Sequence, residues 1–592
     1  MLPYKQIEQR LQTAVLGILP EADVAGLLVR PCPDPKFGDY QCNALMALAK
    51  VRKMNPRQLA TDVVARLEVT EWCEKVEIAG AGFLNFRLKP AALDAALQAA
   101  ARGEHLFFTK TTRPKTIVVD FSSPNVAKPM HVGHIRSTGI GDALQRTLRL
   151  LGHHVITDNH IGDWGTAFGK LLLGWKQILD RPALERDAIA ELERLYKIIN
   201  TECDASPARL EEAKQELVKL QAGDPENIAI WQEMTLLSQK QFATIYRRLG
   251  VKFDHTYGES FYNPWLNEVV EDLLKREIAR ESDGAAAVFS DGSLPSKEDP
   301  FQVKNRDGDW VAEPAIVRKS DGGFNYTTTD LATLDYRIKT WSPHEILYVV
   351  DDRQESHFKK VFLTFARWQP EAFKTVKLVH VGFGKIMGDD NKPFKTRSGD
   401  IVKLGDLLDE AEERCLLLVT EKNPEMSEAQ RKEIARVVGL AAVKYADLLP
   451  NRQSDYVFSW DKMLALTGNT APYLLYAYSR IKSIFRKLAL DEVQTPPSTD
   501  IHLAAPEELN LAKHLLNFGL ALEGVADEYR PNFLCNYLYE LAGKFNSFFE
   551  NCPVLKAEDA ATRQSRLALC DLTARVLKQG LEALGIETIE QM

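Results

Sequence analysis

Cysteine is scarce in this chain: eight residues in 592, none in a CxxC pair. That points away from a zinc site and from a disulfide framework, and towards a reducing compartment, the cytoplasm. No apolar run approaches the roughly 18 residues that span a bilayer. The opening MLPYKQIEQRLQTAV lacks the apolar centre of a secretory signal, so no membrane partner is expected. There is no internal repeat and no low-complexity tract. A basic excess is also missing. The net charge of -8 argues against a whole surface built to coat nucleic acid, while leaving a local basic groove open. What remains is 45% hydrophobic and 26% charged, the balance of an ordinary globular chain with about three to four domains.

Residues 1–110 read as one unit, in which KVEIAGAGFLNFRL (75–88) ends with strand-like alternation and Gly80 and Gly82 make a turn or bulge. After the connector TKTTRPK (109–115) the pattern changes. TIVVDF is a β-branched run suited to a buried parallel strand. VGHIRSTGIGDALQRTLRLLG then reads as a helix ending at Gly152, and HHVITDN as the next strand. This βαβ unit opens a doubly wound α/β fold. Long charged helical segments follow from about 164. Strand-like sequence returns at AAAVFS, PAIVRKSDGGFNYTTTD, HEILYVVD and TVKLVHVGFG, so the α/β domain is split by a helical insertion. From about 405 onward the chain reads as all helix.

The stretch SSPNVAKPMHVGHIRS (122–137) carries the chemistry. An HxGH string alone is more often coincidence than a site. This one follows a strand and opens a helix, whose free N–H groups and dipole favour an anion. His131 and His134 can share one face, and Gly133 leaves room for a flat ring or a phosphate. Such donors suit an α-phosphate under attack. No third ligand is near enough in sequence to make the histidines a metal site.

DFSSPNVAKPMHVGHIRSTGIGDAL, NHIGDWGTAFGKL (159–171), YTTTDLA (326–332), YVVDDRQESH (348–357) and KPFKTRSGDIVKL (392–404) together resemble the arginyl-tRNA synthetases, a class I family, over almost the whole chain. The resemblance implies a Rossmann-like catalytic domain at 111–404 with a helical insertion at about 164–300. It also implies an N-terminal α+β domain (1–110) that binds the tRNA elbow and an all-α anticodon-binding domain at 405–592. The implied substrates are ATP with Mg2+, L-arginine and tRNA(Arg), with first attachment at the 2′-hydroxyl and activation that needs bound tRNA. A monomer is expected. By carry-over, Tyr326 and Asp330 meet the guanidinium and Asp120 adds a second negative charge. Ser123, Asn125, His134 and Gln354 hold the α-amino and carboxylate groups. His131, Gly133, His134 and Lys395 serve ATP. Carboxylates suit a guanidinium because two N–H donors meet two oxygens.

Class I synthetases usually carry a KMSKS loop. Here FKTRS (394–398) stands in its place, with Phe394 and Arg397 at the two lysine positions. Lys128 is the candidate to share the missing work with Lys395 and Arg397. For RNA, residues 471–490 contain Arg480, Lys482, Arg486 and Lys487 with interleaved tyrosines and no acid. Cations and aromatic faces are what loop recognition needs, so Tyr476, Tyr478, Arg480 and Lys482 are candidates there. Phe83 and Asn85 are candidates in the N-terminal unit. A tRNA-free nucleotidyltransferase would not need these helices, and a non-catalytic tRNA-binding relative would lack the histidines or pocket acids.

Overall fold

The computed structural model describes residues 2–388, 392, 394, 402–490 and 500–592. Two compact units result, one of residues 112–464 with 584–586, the other of 1–111 with 465–583 and 587–592.

The first unit is built on a four-stranded parallel sheet. Its strands are β1 (Thr116–Asp120), β2 (His154–Asp158), β3 (Glu345–Tyr348) and β4 (Lys377–His380), in the order β4-β3-β1-β2. Ile117, Val118 and Val119, and likewise Ile346 and Leu347, are buried, as β-branched and aliphatic residues covered on both faces should be. Helix α1 (Gly133–Leu150) connects β1 to β2. The insertion then departs through helices that include α2 (Ala188–Ala205) and α3 (Pro225–Leu249). It ends in a small antiparallel sheet, Ala279–Ser282, Ala285–Val288 and Ala315–Arg318. Helix α4 (Tyr326–Trp341) leads back to β3, and α5 (Glu355–Trp368) leads on to β4. The split sheet expected from the sequence is therefore present.

The long helices at Leu404–Lys422 and α6 (Glu428–Leu448) pack within this unit, whereas the sequence had grouped everything after 404 together. A buried pair explains part of that packing. Arg136 on α1 is 1% exposed, its Nε lies 3.3 Å from Asp447 on α6, and its Nη1 donates to the carbonyls of Gly384 and Ser454 at 3.1 Å each. Removing one partner of such a pair would strand a charge in the core.

The second unit joins an antiparallel sheet to a helical bundle. Cys73–Ala79 and Phe83–Leu88 form its hairpin, turned by Gly80 and Gly82 at φ 52° and 132°. The bundle includes α7 (Ala471–Leu490) and α8 (Asn532–Asn551).

Close contact between α1 and β1 depends on Gly141, where a Cβ would collide with Phe121. Gly139, on the same helix, has its nearest neighbour at 3.7 Å. Gly141→Ala should therefore destabilise by about 1–3 kcal/mol through overpacking. Gly139→Ala should be neutral or slightly stabilising. Denaturation midpoints of the two variants check this; equal midpoints would contradict the packing.

Candidate active site

In register across the sheet, Asp158, Asp120, Tyr348 and His380 are the last residues of β2, β1, β3 and β4. They form a row at the carboxyl edge, where open α/β sheets bind ligands. The connections leave β1 and β3 in opposite directions, so the crevice opens beside Asp120 and Tyr348. Arg337 reaches the same row from α4. It is fully buried, and its Nη2 donates to Asp120 at 2.7 Å and to Asp158 at 2.8 Å. Asp120 thus has an internal partner. It does not supply a free second negative charge to a guanidinium, as the sequence reading had it, because a resident guanidinium already sits on it. Ser123 Oγ donates to its other oxygen at 3.2 Å.

The loop leaving β1 is strained. Ser122, Ser123 and Ala127 adopt φ of 76°, 48° and 60°, the left-handed region that non-glycine residues rarely occupy. Side chains hold it there. Ser122 Oγ lies 2.8 Å from both Thr138 Oγ1 and Tyr246 OH. The Ser122 N–H donates to Ser137 Oγ at 2.8 Å and the Ser123 N–H to Asn159 Oδ1 at 3.0 Å. Ser238 Oγ accepts from the Ala127 N–H at 2.9 Å. Tyr246 and Ser238 both belong to α3, so the insertion fixes this loop.

The loop delivers the two imidazoles as a pair, ring centroids 3.9 Å apart. His134 Nδ1 accepts the His131 N–H at 2.9 Å, and His131 Nδ1 accepts the Gly133 N–H at 3.1 Å. A neutral ring with an accepting Nδ1 carries its hydrogen on Nε2. Burial pushes His134 down to about 3. It also lowers His131, helped by the positive charges of Arg353 and Lys128. Both rings are neutral N–H donors near pH 7. Glycine is required between them, since a Cβ at 133 would come 2.9 Å from the His131 ring. The Val132 N–H donates to Val402 O and the Leu404 N–H to Met130 O, each at 2.9 Å. The chain leaving the KTRS stretch is thereby pinned against this turn.

The second anionic end lies on α4 and α5. Asp330 Oδ2 is 2.5 Å from His357 Nε2, and the exposed Tyr326 stands edge-on to the His357 ring at 4.6 Å. Glu259 lies in the same field. Burial first, then the charges of Asp330 and Asp163 against the opposing pull of His160, push its carboxyl up to about 7. The buried Tyr348 hydroxyl is held high by burial first, with the charges of Asp120 and Asp330 adding to it.

Asn125 is exposed and its backbone bridges to Gly162. Gln354 is exposed beside Arg353. Lys128 is exposed, with its ammonium 5.3 Å over the ring of Tyr196 on α2. Lys395 and Arg397 lie outside the described residues. In the other unit, Tyr478 is 3% exposed. It is a packing residue with no face to offer a base, which corrects its place among the RNA candidates. Asn85 is also buried, while Phe83 is half-buried on the same strand. Tyr476 is 43% exposed. Arg480 stacks on it at 4.9 Å and donates to Asn546 Oδ1 at 3.1 Å. Lys482 pairs with Glu590 at 3.0 Å. A cavity of 570 Å³ beside Arg480 is also lined by Ser483, Lys487, Phe549 and Lys556.

Arg337, Glu259, His357 and Asp158 went unnoticed in the sequence. Helical spacing could have found Arg337, seven residues and about two turns after Asp330. Glu259 and Asp158 come from distant segments and carry no local signal.

A split parallel sheet with an HxGH pair opening its first helix defines a class I aminoacyl-tRNA synthetase. The family descriptions agree. Residues 96–460 match the class I (R) tRNA synthetase catalytic domain, 474–592 the DALR anticodon binding domain, and 5–88 the arginyl tRNA synthetase N-terminal domain. The arginine–tRNA ligase of Salmonella dublin is 47% identical over 566 residues, 95% of each chain. That of a Marinomonas species is 45% identical over 588 residues, 99% of each. Among solved structures, the Thermus thermophilus arginyl-tRNA synthetase superposes with a TM-score of 0.81 at 26% identity, over 100% of both chains. The Plasmodium falciparum enzyme gives 0.79 at 29%, over 100% of this chain and 99% of that one. The chain belongs to the arginyl-tRNA synthetases.

Glu259 makes a stability test. The folded carboxyl keeps its proton to about 7, against an ordinary value of 4.5. Between those values the folded chain binds more protons than the unfolded one, so this group's contribution falls as pH rises. Glu259→Gln should match the parent at pH 4.5 and exceed it at pH 8 by roughly 1–3 kcal/mol. Denaturant titrations at the two pH values decide; a pH-independent difference would contradict the assignment.

Proposed function

We propose how this site performs the family's reaction. The chain is an arginine–tRNA ligase: it activates L-arginine with ATP to arginyl-adenylate and transfers the arginyl group to tRNA(Arg). The observation that carries the site assignment is the pair of anionic ends flanking Tyr348, with neutral imidazoles alongside. Arginine has a cation at each end of its chain, and this pocket has acids at a matching pair of places.

Asp330, oriented by His357, receives the guanidinium together with Tyr326, and Glu259 adds the second negative charge. Asp120 faces the α-ammonium, while Ser123, Asn125, His134 and Gln354 line the α-amino and carboxylate end. A carboxylate oxygen of arginine attacks the α-phosphorus, the bond to the bridging oxygen breaks, and pyrophosphate leaves. His131 and His134 donate N–H bonds to phosphoryl oxygens as charge develops there, with the backbone at Gly133 close to the nucleotide. A ribose hydroxyl of the terminal adenosine, the 2′ in this class, then attacks the arginyl carbonyl and AMP leaves. Lysine would leave acceptors of the guanidinium end unpaired once substrate covers them, a loss on the order of 10⁴-fold.

Magnesium is proposed to arrive with ATP. Among the described residues no group of three His, Cys, Asp or Glu could hold a metal ion, so no resident site fits and no step is routed through one. For tRNA, Phe83 of the module at 1–110 is assigned to the elbow, while Asn85 of the same strand is buried and supports it from below. Tyr476, Lys482 and Arg480, the last lining the 570 Å³ cavity, are assigned to unstacked bases of the anticodon loop. A monomer in the cytoplasm completes the proposal. None of the eight cysteines is in a disulfide, which suits a reducing compartment. No described helix is long and apolar enough to cross a membrane.

Asp330→Asn keeps shape but removes charge. It should cost about 2–4 kcal/mol in kcat/KM for arginine with the KM for ATP little changed. Unaltered arginine kinetics would remove Asp330 from the site.

Lys128 is assigned to the ATP phosphates with Lys395 and Arg397. Its ammonium lies over Tyr196, and its charge adds to the lowering of His131. Lys128→Ala should slow adenylate formation about 10²-fold. Transfer from preformed adenylate should persist, because the pyrophosphate has already left. Normal single-turnover activation in that variant would sink the role.

A further inference from the structure

The amino-acid site contains a guanidinium of its own. Arg337 is fully buried, and one of its nitrogens, Nη2, serves both Asp120 and Asp158. Its Cζ lies 5.4 Å from the ring centroid of Tyr348. Its Nε and Nη1 are buried, as are the hydroxyls of Tyr262 and Tyr348. Arginine is the residue suited to such a place, since its planar fork stays charged when desolvated.

The charge balance of this end follows. Two carboxylates and one guanidinium leave one net negative charge at the Asp120–Asp158 end. Without Arg337 that end would be a bare carboxylate pair, similar in chemistry to Asp330 with Glu259. The guanidinium of free arginine would then be drawn to either anionic end, and only the substrate's own carboxylate would disfavour the reversed pose. Specific sites are built against wrong poses as well as for right ones.

We propose that Arg337 sets the direction in which arginine binds. As a resident guanidinium it occupies the carboxylate pair at the strand ends and repels a second guanidinium from it. The substrate's guanidinium is left with the Asp330 end, and one net negative charge remains for the α-ammonium. Arg337 is a positioning residue: it acts through Asp120 and Asp158. The proposal deepens the reading given above and rests on Asp330 receiving the guanidinium.

The probe is agmatine, arginine without its carboxylate, which has a cation at each end and cannot be activated. Its inhibition of arginine-dependent ATP–pyrophosphate exchange, with tRNA present, is measured alongside the arginine KM. Three variants change the net charge of the Asp120 end. Asp158→Asn takes it to zero, Arg337→Met takes it to minus two, and the two together return it to minus one. Agmatine should bind about tenfold more weakly in Asp158→Asn and about tenfold more tightly in Arg337→Met. The double variant should come within about threefold of the parent. Arginine kcat/KM should fall in Arg337→Met even as agmatine binding tightens, because the reversed pose competes. A merely structural Arg337 would give the opposite ranking, with the double variant as impaired as the single one.

Thermal melting shows which variants are folded. If Arg337→Met does not fold, Asp158→Asn and the double variant still decide, since one must weaken agmatine and the other restore it. Agmatine affinities that ignore the charge series overturn the proposal. If Asp330→Asn leaves arginine kinetics unchanged, the underlying reading has failed. If Asp330→Asn is impaired while the charge series is flat, only the role of Arg337 has failed.

Discussion

The turn from β1 into α1 is the constraint on which the site depends. Three non-glycine residues sit there in left-handed conformations, each costing on the order of 1–3 kcal/mol if unsupported. The support is a buried polar network made by Ser137 and Thr138 of α1, Asn159 just beyond β2, and Ser238 and Tyr246 of α3. No single element could impose the conformation. It exists because three segments close on one loop, and one of the three belongs to the insertion. The insertion is therefore part of what holds the histidine turn in place, and its helices are not a separate appendage to the catalytic unit.

Electrostatics around the sheet edge follows from that geometry. In-register parallel strands bring Asp158, Asp120 and Tyr348 side by side. Adjacent carboxylates in a water-poor setting repel, and a buried charge is tolerated only when paired. Arg337 supplies the pairing at one end. At the other, Asp330 is met by His357 and Glu259 keeps its proton to about 7. The two ends thus manage their excess negative charge differently. One is neutralised in part by a fixed cation and the other in part by a proton, which an incoming cation can displace.

Much of this was legible in the sequence, for identifiable reasons. TIVVDF and HEILYVVD announce buried parallel strands because both faces of such strands need apolar residues, and the HxGH pair is local, so its place at a strand–helix junction could be read directly. Gly80 and Gly82 marked the hairpin because the turn needs positive φ. The failures share one cause, which is that local sequence does not report long-range pairing. Asp120 looked like an available acid because Arg337 lies 217 residues away. Tyr478 looked like a base platform because helical spacing shows that a residue shares a face, not whether that face is covered. The helices from 404 to 448 looked like part of the terminal bundle because every helix there is amphipathic, and only long-range contacts, such as Arg136 with Asp447, Arg248 with Asp409 and Glu412, and the Leu404 N–H with Met130 O, assign them to the catalytic unit.

The placement of Arg136 and Arg337 carries the argument one step further. Both are fully buried arginines, each bonded across segments distant in sequence. Arg136 is two residues beyond the histidine pair and ties α1 to Gly384, Ser454 and Asp447. Those partners flank the stretch that runs towards FKTRS, while the backbone bonds from Val132 and to Met130 tie the chain returning from it. Gly384 is thus bonded to α1, and residues 402 and 404 to the turn just before it. Arg337 does the equivalent for the amino-acid side, tying α4 to β1 and β2. The two halves of the reaction meet at the turn between β1 and α1, whose two neighbours, Asp120 and Arg136, are each fixed by a buried ion pair.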